Sequence, residues 1–103
     1  MDTYDILYII LAENKKNNNI GYIAAQTDLD NFNVRFLNRT DADNHPTNLM
    51  SFFSRGAAEQ YKTELLTACT RNKPDIEVEF TIEPKRFSAT DIQTLFARKF
   101  SKE

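Results

Sequence analysis

An uninterrupted apolar run at residues 6–11, Ile-Leu-Tyr-Ile-Ile-Leu, constrains the fold of this chain more than any other stretch. Large apolar residues in a short run closed by a polar cluster are typical of a strand covered on both faces, whereas a helix needs at least about ten residues. Such a run is also far too short to cross a bilayer. We therefore predict a central strand, against which the rest of the chain packs.

The composition predicts a single domain over residues 1–103. An apolar content of 41% with only 2 Gly and 3 Pro is typical of an ordered globule of ordinary domain size. Because Cys69 is the single cysteine, an intrachain disulfide and a zinc site made of cysteines are both excluded. No signal-peptide pattern precedes the first strand. We expect a cytoplasmic protein without a membrane segment.

Further segments carry strand patterns. Residues 20–25 follow a polar, Asn-rich loop and are predicted to form a hairpin with the central strand. Residues 32–36 alternate apolar and polar side chains, and residues 76–83 do so most regularly, up to Pro84, which is expected to end that strand. Residues 38–48 are predicted as a loop, and residues 49–53 could add a short strand before the first helix.

Two amphipathic helices are predicted. Ser54 is a suitable N-cap for the first, which ends ahead of Pro74. Ser88 and Asp91 resemble a capping box at the start of the second. The resulting order β-β-β-α-β-α predicts an α+β fold, in which an antiparallel sheet of about four strands carries both helices on one face.

An acidic row on the last strand is the most distinctive surface feature. Glu77, Glu79 and Glu83 share one face of the strand, where carboxylates about 7 Å apart repel one another. A basic group is therefore expected opposite, and Arg35 and Arg39 would provide it if residues 32–38 pair with this strand. Alternatively, the row binds a basic surface of a partner protein.

The C-terminal segment, residues 85–103, is basic on a chain whose formal net charge is −2. Its basic residues are Lys85, Arg86, Arg98, Lys99 and Lys102. Those in the last turn of the second helix interact favourably with the helix dipole, which accounts for them without any ligand. Alternatively, they bind phosphate, and the protein associates with nucleic acid through its C-terminal helix.

The chain contains no convincing catalytic or metal-binding motif. Residues 41–45 carry carboxylates and the only histidine, yet a calcium loop starting there would need Gly and Glu where the chain has Pro46 and Phe52. A polar turn is the simpler interpretation. Cys69 falls on the apolar stripe of the first helix, which indicates a core thiol rather than a nucleophile. We expect no enzymatic activity, no cofactor and no metal.

These features together favour a small non-enzymatic protein-binding module. Such a module would act as an adaptor, a regulator or a stoichiometric inhibitor, and would bind its partner through the acidic strand face or the charged helix end. By size and charge alone, the chain is analogous to phage and mobile-element proteins that block a host factor. A nucleic-acid-associated protein is the alternative function. Both a monomer and a homodimer are compatible with the sequence.

Overall fold

The computed structural model describes residues 4–100, and the side chains of residues 5–98. The apolar run lies in β1 (Tyr4–Asn14), the central strand. β1 pairs in antiparallel register with β4 (Val78–Ser88) along the whole length of both strands. Its other side pairs with β2 (Ile20–Ile23), and β2 pairs with β3 (Phe36–Leu37). The sheet order is therefore β3-β2-β1-β4, with β4 at one edge.

Helices connect and follow these strands. A short helix α1 (Arg39–Asn44) and a 3-10 turn (Pro46–Asn48) precede the long helix α2 (Arg55–Asn72), and α3 (Ala89–Phe100) follows β4 directly. The predicted α+β class and the order β-β-β-α-β-α are confirmed. Ser54 caps α2 as predicted, since its hydroxyl accepts the N–H of Ala57 at 3.1 Å.

The loop predicted for residues 38–48 contains α1 and the 3-10 turn. Asn38 starts α1, because its side-chain oxygen accepts the backbone N–H of Asp41 at 2.7 Å. The helix is held to the sheet by Ala42, which is buried. Residues 49–53 form isolated bridges instead of a strand, with Leu49 opposite Ala24 and Phe52 opposite Tyr8.

The strand predicted for residues 32–36 is reduced to the two residues of β3. Side chains of the preceding turn form local hydrogen bonds, such as Asn31 Nδ2 to Asp28 Oδ2 at 2.7 Å, which compete with strand pairing. Phe32 has a φ of 47°, in the left-handed region, so an extended strand cannot pass through it.

Buried residues form two clusters, one on each face of the sheet, because successive side chains of β1 point in opposite directions. The first cluster contains Leu7, Ile9, Tyr22, Ala42, Leu49, Phe87, Ile92 and Leu95. The second contains Ile10, Ala12, Ile23, Ala58, Leu65, Phe80 and Ile82. Since α3 contributes to the first cluster and α2 to the second, the two long helices cover opposite faces.

The prediction that both helices share one face is therefore wrong in that detail. The physical reason is the apolar run itself. A strand whose consecutive residues are all apolar must be covered on both sides, and a single helical layer leaves one side in water.

Pro84 does not end the last strand, contrary to the prediction. Tyr8 lies opposite it, and Tyr8 exchanges both of its backbone hydrogen bonds with Phe52, each at 2.9 Å. The backbone of Pro84 therefore points away from β1, where a missing N–H breaks no bond of the sheet.

We predict that truncation of two neighbouring leucines on α2 has very different effects on stability. Leu65 is fully buried in the second cluster, whereas Leu66 is 40% exposed. Leu65→Ala should lower the free energy of unfolding by about 2–5 kcal/mol, and Leu66→Ala by less than about 1 kcal/mol. Urea denaturation of both variants measures the difference. Equal losses would contradict the packing of α2 on this face.

Candidate functional site

The acidic row begins where β4 leaves the loop after α2. The register sets Glu79 directly opposite Glu13 of β1, so two carboxylates face each other across the ladder. Lys15 bridges them, with its Nζ 3.1 Å from Glu79 Oε1 and 3.7 Å from Glu13 Oε1. The side-chain hydrogen bond to Glu79, with the charges of both carboxylates, raises the pKa of Lys15. The basic partner expected for the row is thus Lys15.

Glu83 belongs to a separate polar recess of about 170 Å³. The hydroxyl of Tyr22 donates to Glu83 Oε1 at 3.3 Å, and the Arg39 guanidinium lies over the Tyr22 ring, 5.9 Å from its centre. Burial raises the pKa of Tyr22, the charge of Glu83 raises it further, and the charge of Arg39 opposes both. Arg39 and Glu83 are therefore brought together, while Glu77 and Glu79 stay exposed.

Arg35 does not contact the acidic row, so the predicted pairing was wrong. It precedes β3, at the opposite edge of the sheet from β4. Its backbone N–H donates to Thr27 Oγ1 at 3.0 Å, and its Nε donates to Asn33 Oδ1 at 3.2 Å. These bonds hold the turn before β3.

The basic residues of the C-terminal segment do not form one patch within the described residues. Lys85 Nζ lies 3.5 Å from Asp43 Oδ1, in the same recess as Glu83. Arg86 follows Lys85 on β4 and so points to the other face of the sheet. Arg98 donates to the backbone carbonyl of Thr47. The side chain of Lys99 and all of Lys102 lie outside the described residues.

An open apolar groove of about 410 Å³ was not predicted from the sequence. It lies where the β1–β2 hairpin, the end of α2 and the start of β4 meet. Its apolar lining residues include Ile20, Phe32, Phe36, Ile76, Val78 and Phe80. Three of these remain substantially exposed, namely Ile20 at 50%, Phe36 at 55% and Ile76 at 45%. Exposed apolar residues gathered around a concave surface are typical of binding sites.

Local backbone features create this groove. Gly21 allows Phe36 to lie over β2, since a Cβ on Gly21 would be 3.1 Å from the Phe36 Cβ. Ile76 is 45% exposed and precedes β4, which starts at Val78, so the predicted strand is shortened at this end. The sequence does contain apolar residues beside Asn-rich turns, which is where the groove lies. Alternation of apolar and polar residues alone predicts that such side chains point into the core, so it does not reveal a groove.

The polar groups at the groove are few. Asn14, Asn19 and Lys73 line it together with the thiol of Cys69, which is partly buried. Burial raises the pKa of Cys69 above its ordinary value. A mainly apolar wall with a few polar groups suits the binding of an apolar group from another molecule.

The described residues contain neither a metal-binding cluster nor a membrane-spanning helix. Within residues 4–100, no three His, Cys, Asp or Glu side chains are grouped as a metal ion would require. None of the helices in that part of the chain combines the length and apolar character needed to cross a bilayer. Comparison with known proteins gave no match to a protein-family model, to a curated protein or to a solved structure.

We predict that Cys69 reacts slowly with a water-soluble disulfide reagent near neutral pH. Burial disfavours the thiolate, so its fraction at this pH is below that of a free cysteine, whose pKa is about 8.5. The rate should continue to rise with pH above that value. The same protein unfolded in denaturant is the control, and equal rates in the two states would contradict the burial of Cys69.

Proposed function

We propose that the protein is a non-catalytic protein-binding module, which acts as an adaptor, a regulator or a stoichiometric inhibitor of its partner. The observation that carries this proposal is the apolar groove, because its exposed residues Ile20, Phe36 and Ile76 are placed where a partner would cover them. Covering exposed apolar surface is the main favourable contribution to most protein association.

The acidic residues beside the groove support a partner of complementary charge. Glu77 and Glu79 lie next to groove residues Ile76 and Val78, and both are exposed. Their charge favours a basic partner surface and accelerates its association. We further propose that the protein acts in the cytoplasm, and that the partner is a host factor blocked by a phage or mobile-element protein. That finer proposal depends only on the analogy in size and charge.

The test is affinity capture from a lysate of the source organism, followed by binding measurements on the purified partner. We predict that Ile20→Ser and Ile76→Ser each weaken binding by about tenfold, equivalent to about 1.4 kcal/mol, because a partner loses an apolar contact. Ile6→Ser is the matched control, since Ile6 is 47% exposed on β1 and does not line the groove.

The outcomes separate the two functions. A partner whose binding is reduced by both groove variants but not by the control supports the proposal. Equal binding by all variants would exclude the groove as the binding site. Recovery of nucleic acid that is released by salt and lost after charge reversal at Arg98 would favour the alternative function.

A further inference from the structure

We propose that the outer edge of β4 binds an extended, basic segment of the partner protein as an additional strand of the sheet. This inference rests on the proposed function, and it specifies how the partner is recognised. β4 is an edge strand of the sheet, the other edge being the two-residue β3, and β1 pairs with its inner side.

The register determines which backbone groups of β4 are free. The backbone carbonyl of Glu77 accepts the backbone N–H of Lys15 at 2.8 Å. The backbone groups of odd-numbered residues of β4 therefore bond to β1. Even-numbered positions therefore point outward, because the direction alternates along an antiparallel ladder. The N–H and C=O groups of Val78, Phe80 and Ile82 have no hydrogen-bond partner within residues 4–100. Pro84, which lacks an N–H, limits the continuous free edge at its far end.

The side chains along this edge define the chemistry of the added strand. On one face, Glu77 and Glu79 are exposed, and Lys15 supplies a single positive charge against these two and Glu13. The group therefore keeps a net negative charge, and basic residues of the added strand would lie opposite it. On the other face, Val78 and Phe80 line the apolar groove, so the alternate residues of the added strand would be apolar. The expected ligand thus alternates Lys or Arg with apolar residues.

A second copy of this chain is a poorer occupant than a basic strand. In an antiparallel pair of two β4 strands, a two-fold axis at residue 78 sets Glu77 opposite Glu79, and an axis at residue 79 sets Glu79 opposite itself. Axes at residues 80 and 81 set Glu83 opposite Glu77 and Glu79 respectively. An axis at residue 82 sets Glu79 opposite Lys85, but it also sets Pro84 opposite Phe80, so the carbonyl of Phe80 then lacks an N–H donor. Like charges directly opposite destabilise a pair of strands.

The probe for the test is a short capped peptide that alternates Lys and Val, titrated against the full-length protein and measured by fluorescence anisotropy. Hydrogen exchange then reports the geometry. The outward amides of Phe80 and Ile82 should exchange at least about tenfold more slowly with the peptide bound. The amide of Thr81 already points toward β1 and serves as the internal reference.

Two N-methylated peptides provide a matched control for the backbone contacts. Residues directly opposite Phe80 and Ile82 are apolar in the proposed complex, and they exchange both hydrogen bonds with β4. N-methylation of the Val residues should therefore abolish binding, whereas N-methylation of the Lys residues should leave it within about twofold. The same peptide with Glu in place of Lys should not bind.

Charge-reversed variants test the acidic side of the edge. Glu79→Lys should weaken binding of the Lys-Val peptide by about tenfold. Glu64→Lys on α2 makes the same change in net charge away from the edge and should have less than about a twofold effect. Equal effects of the two variants, or no protection of Phe80 and Ile82, would overturn the inference. A dimer of this chain that protects both amides would also overturn it.

Failure of this inference is distinguishable from failure of the proposed function. A captured partner that needs Ile20 and Ile76, binds Glu79→Lys normally and gives Phe80 and Ile82 no protection would leave the protein-binding function in place and exclude strand addition. A partner that protects Phe80 and Ile82 in the same exchange experiment would support both.

Discussion

The pairing of β1 with β4 is the interaction on which the rest of the structure depends. The two strands run antiparallel over their whole length, although β2, β3, α1 and α2 separate them in the sequence. A shift of this register by one residue would exchange the residues that face α2 with those that face α3. The register is therefore determined by two clusters at once, with Phe80 and Ile82 in one and Phe87 in the other.

The same ladder explains why β4 changes its buried side partway along. Phe80 and Ile82 are buried under α2, whereas farther along, beyond Pro84, Phe87 is buried on the face of α3. The strand stays in continuous register throughout, so this change comes from the offset of the two helices and not from a bulge. On the face that α3 covers, the part of the sheet beyond the reach of this helix carries Glu79 beside Lys15. The exposed acidic residues thus mark the part of the sheet that no helix covers.

Local signals in the sequence were reliable wherever the structure depends on nearby residues. Ser54 starts α2, and Ser88 accepts the N–H of Asp91 at the start of α3, as their positions predicted. A basic group does lie near the acidic row, namely Lys15 at Glu79, because carboxylates on alternate residues of one strand repel one another whatever the strand order. The prediction that Arg35 is this basic group was wrong, because the strand order places β3 and β4 at opposite edges of the sheet.

The sequence by itself determined the α+β class, the order of the elements, the central position of residues 6–11 and the acidic row on the last strand. Periodicity and capping determine these features because they act between residues only a few positions apart. Only the tertiary structure decided which faces the helices cover, that Lys15 pairs with Glu79 and Glu13, and that a groove opens between α2 and the sheet. These depend on burying both sides of one apolar strand, and that requirement is met by segments far apart in the chain.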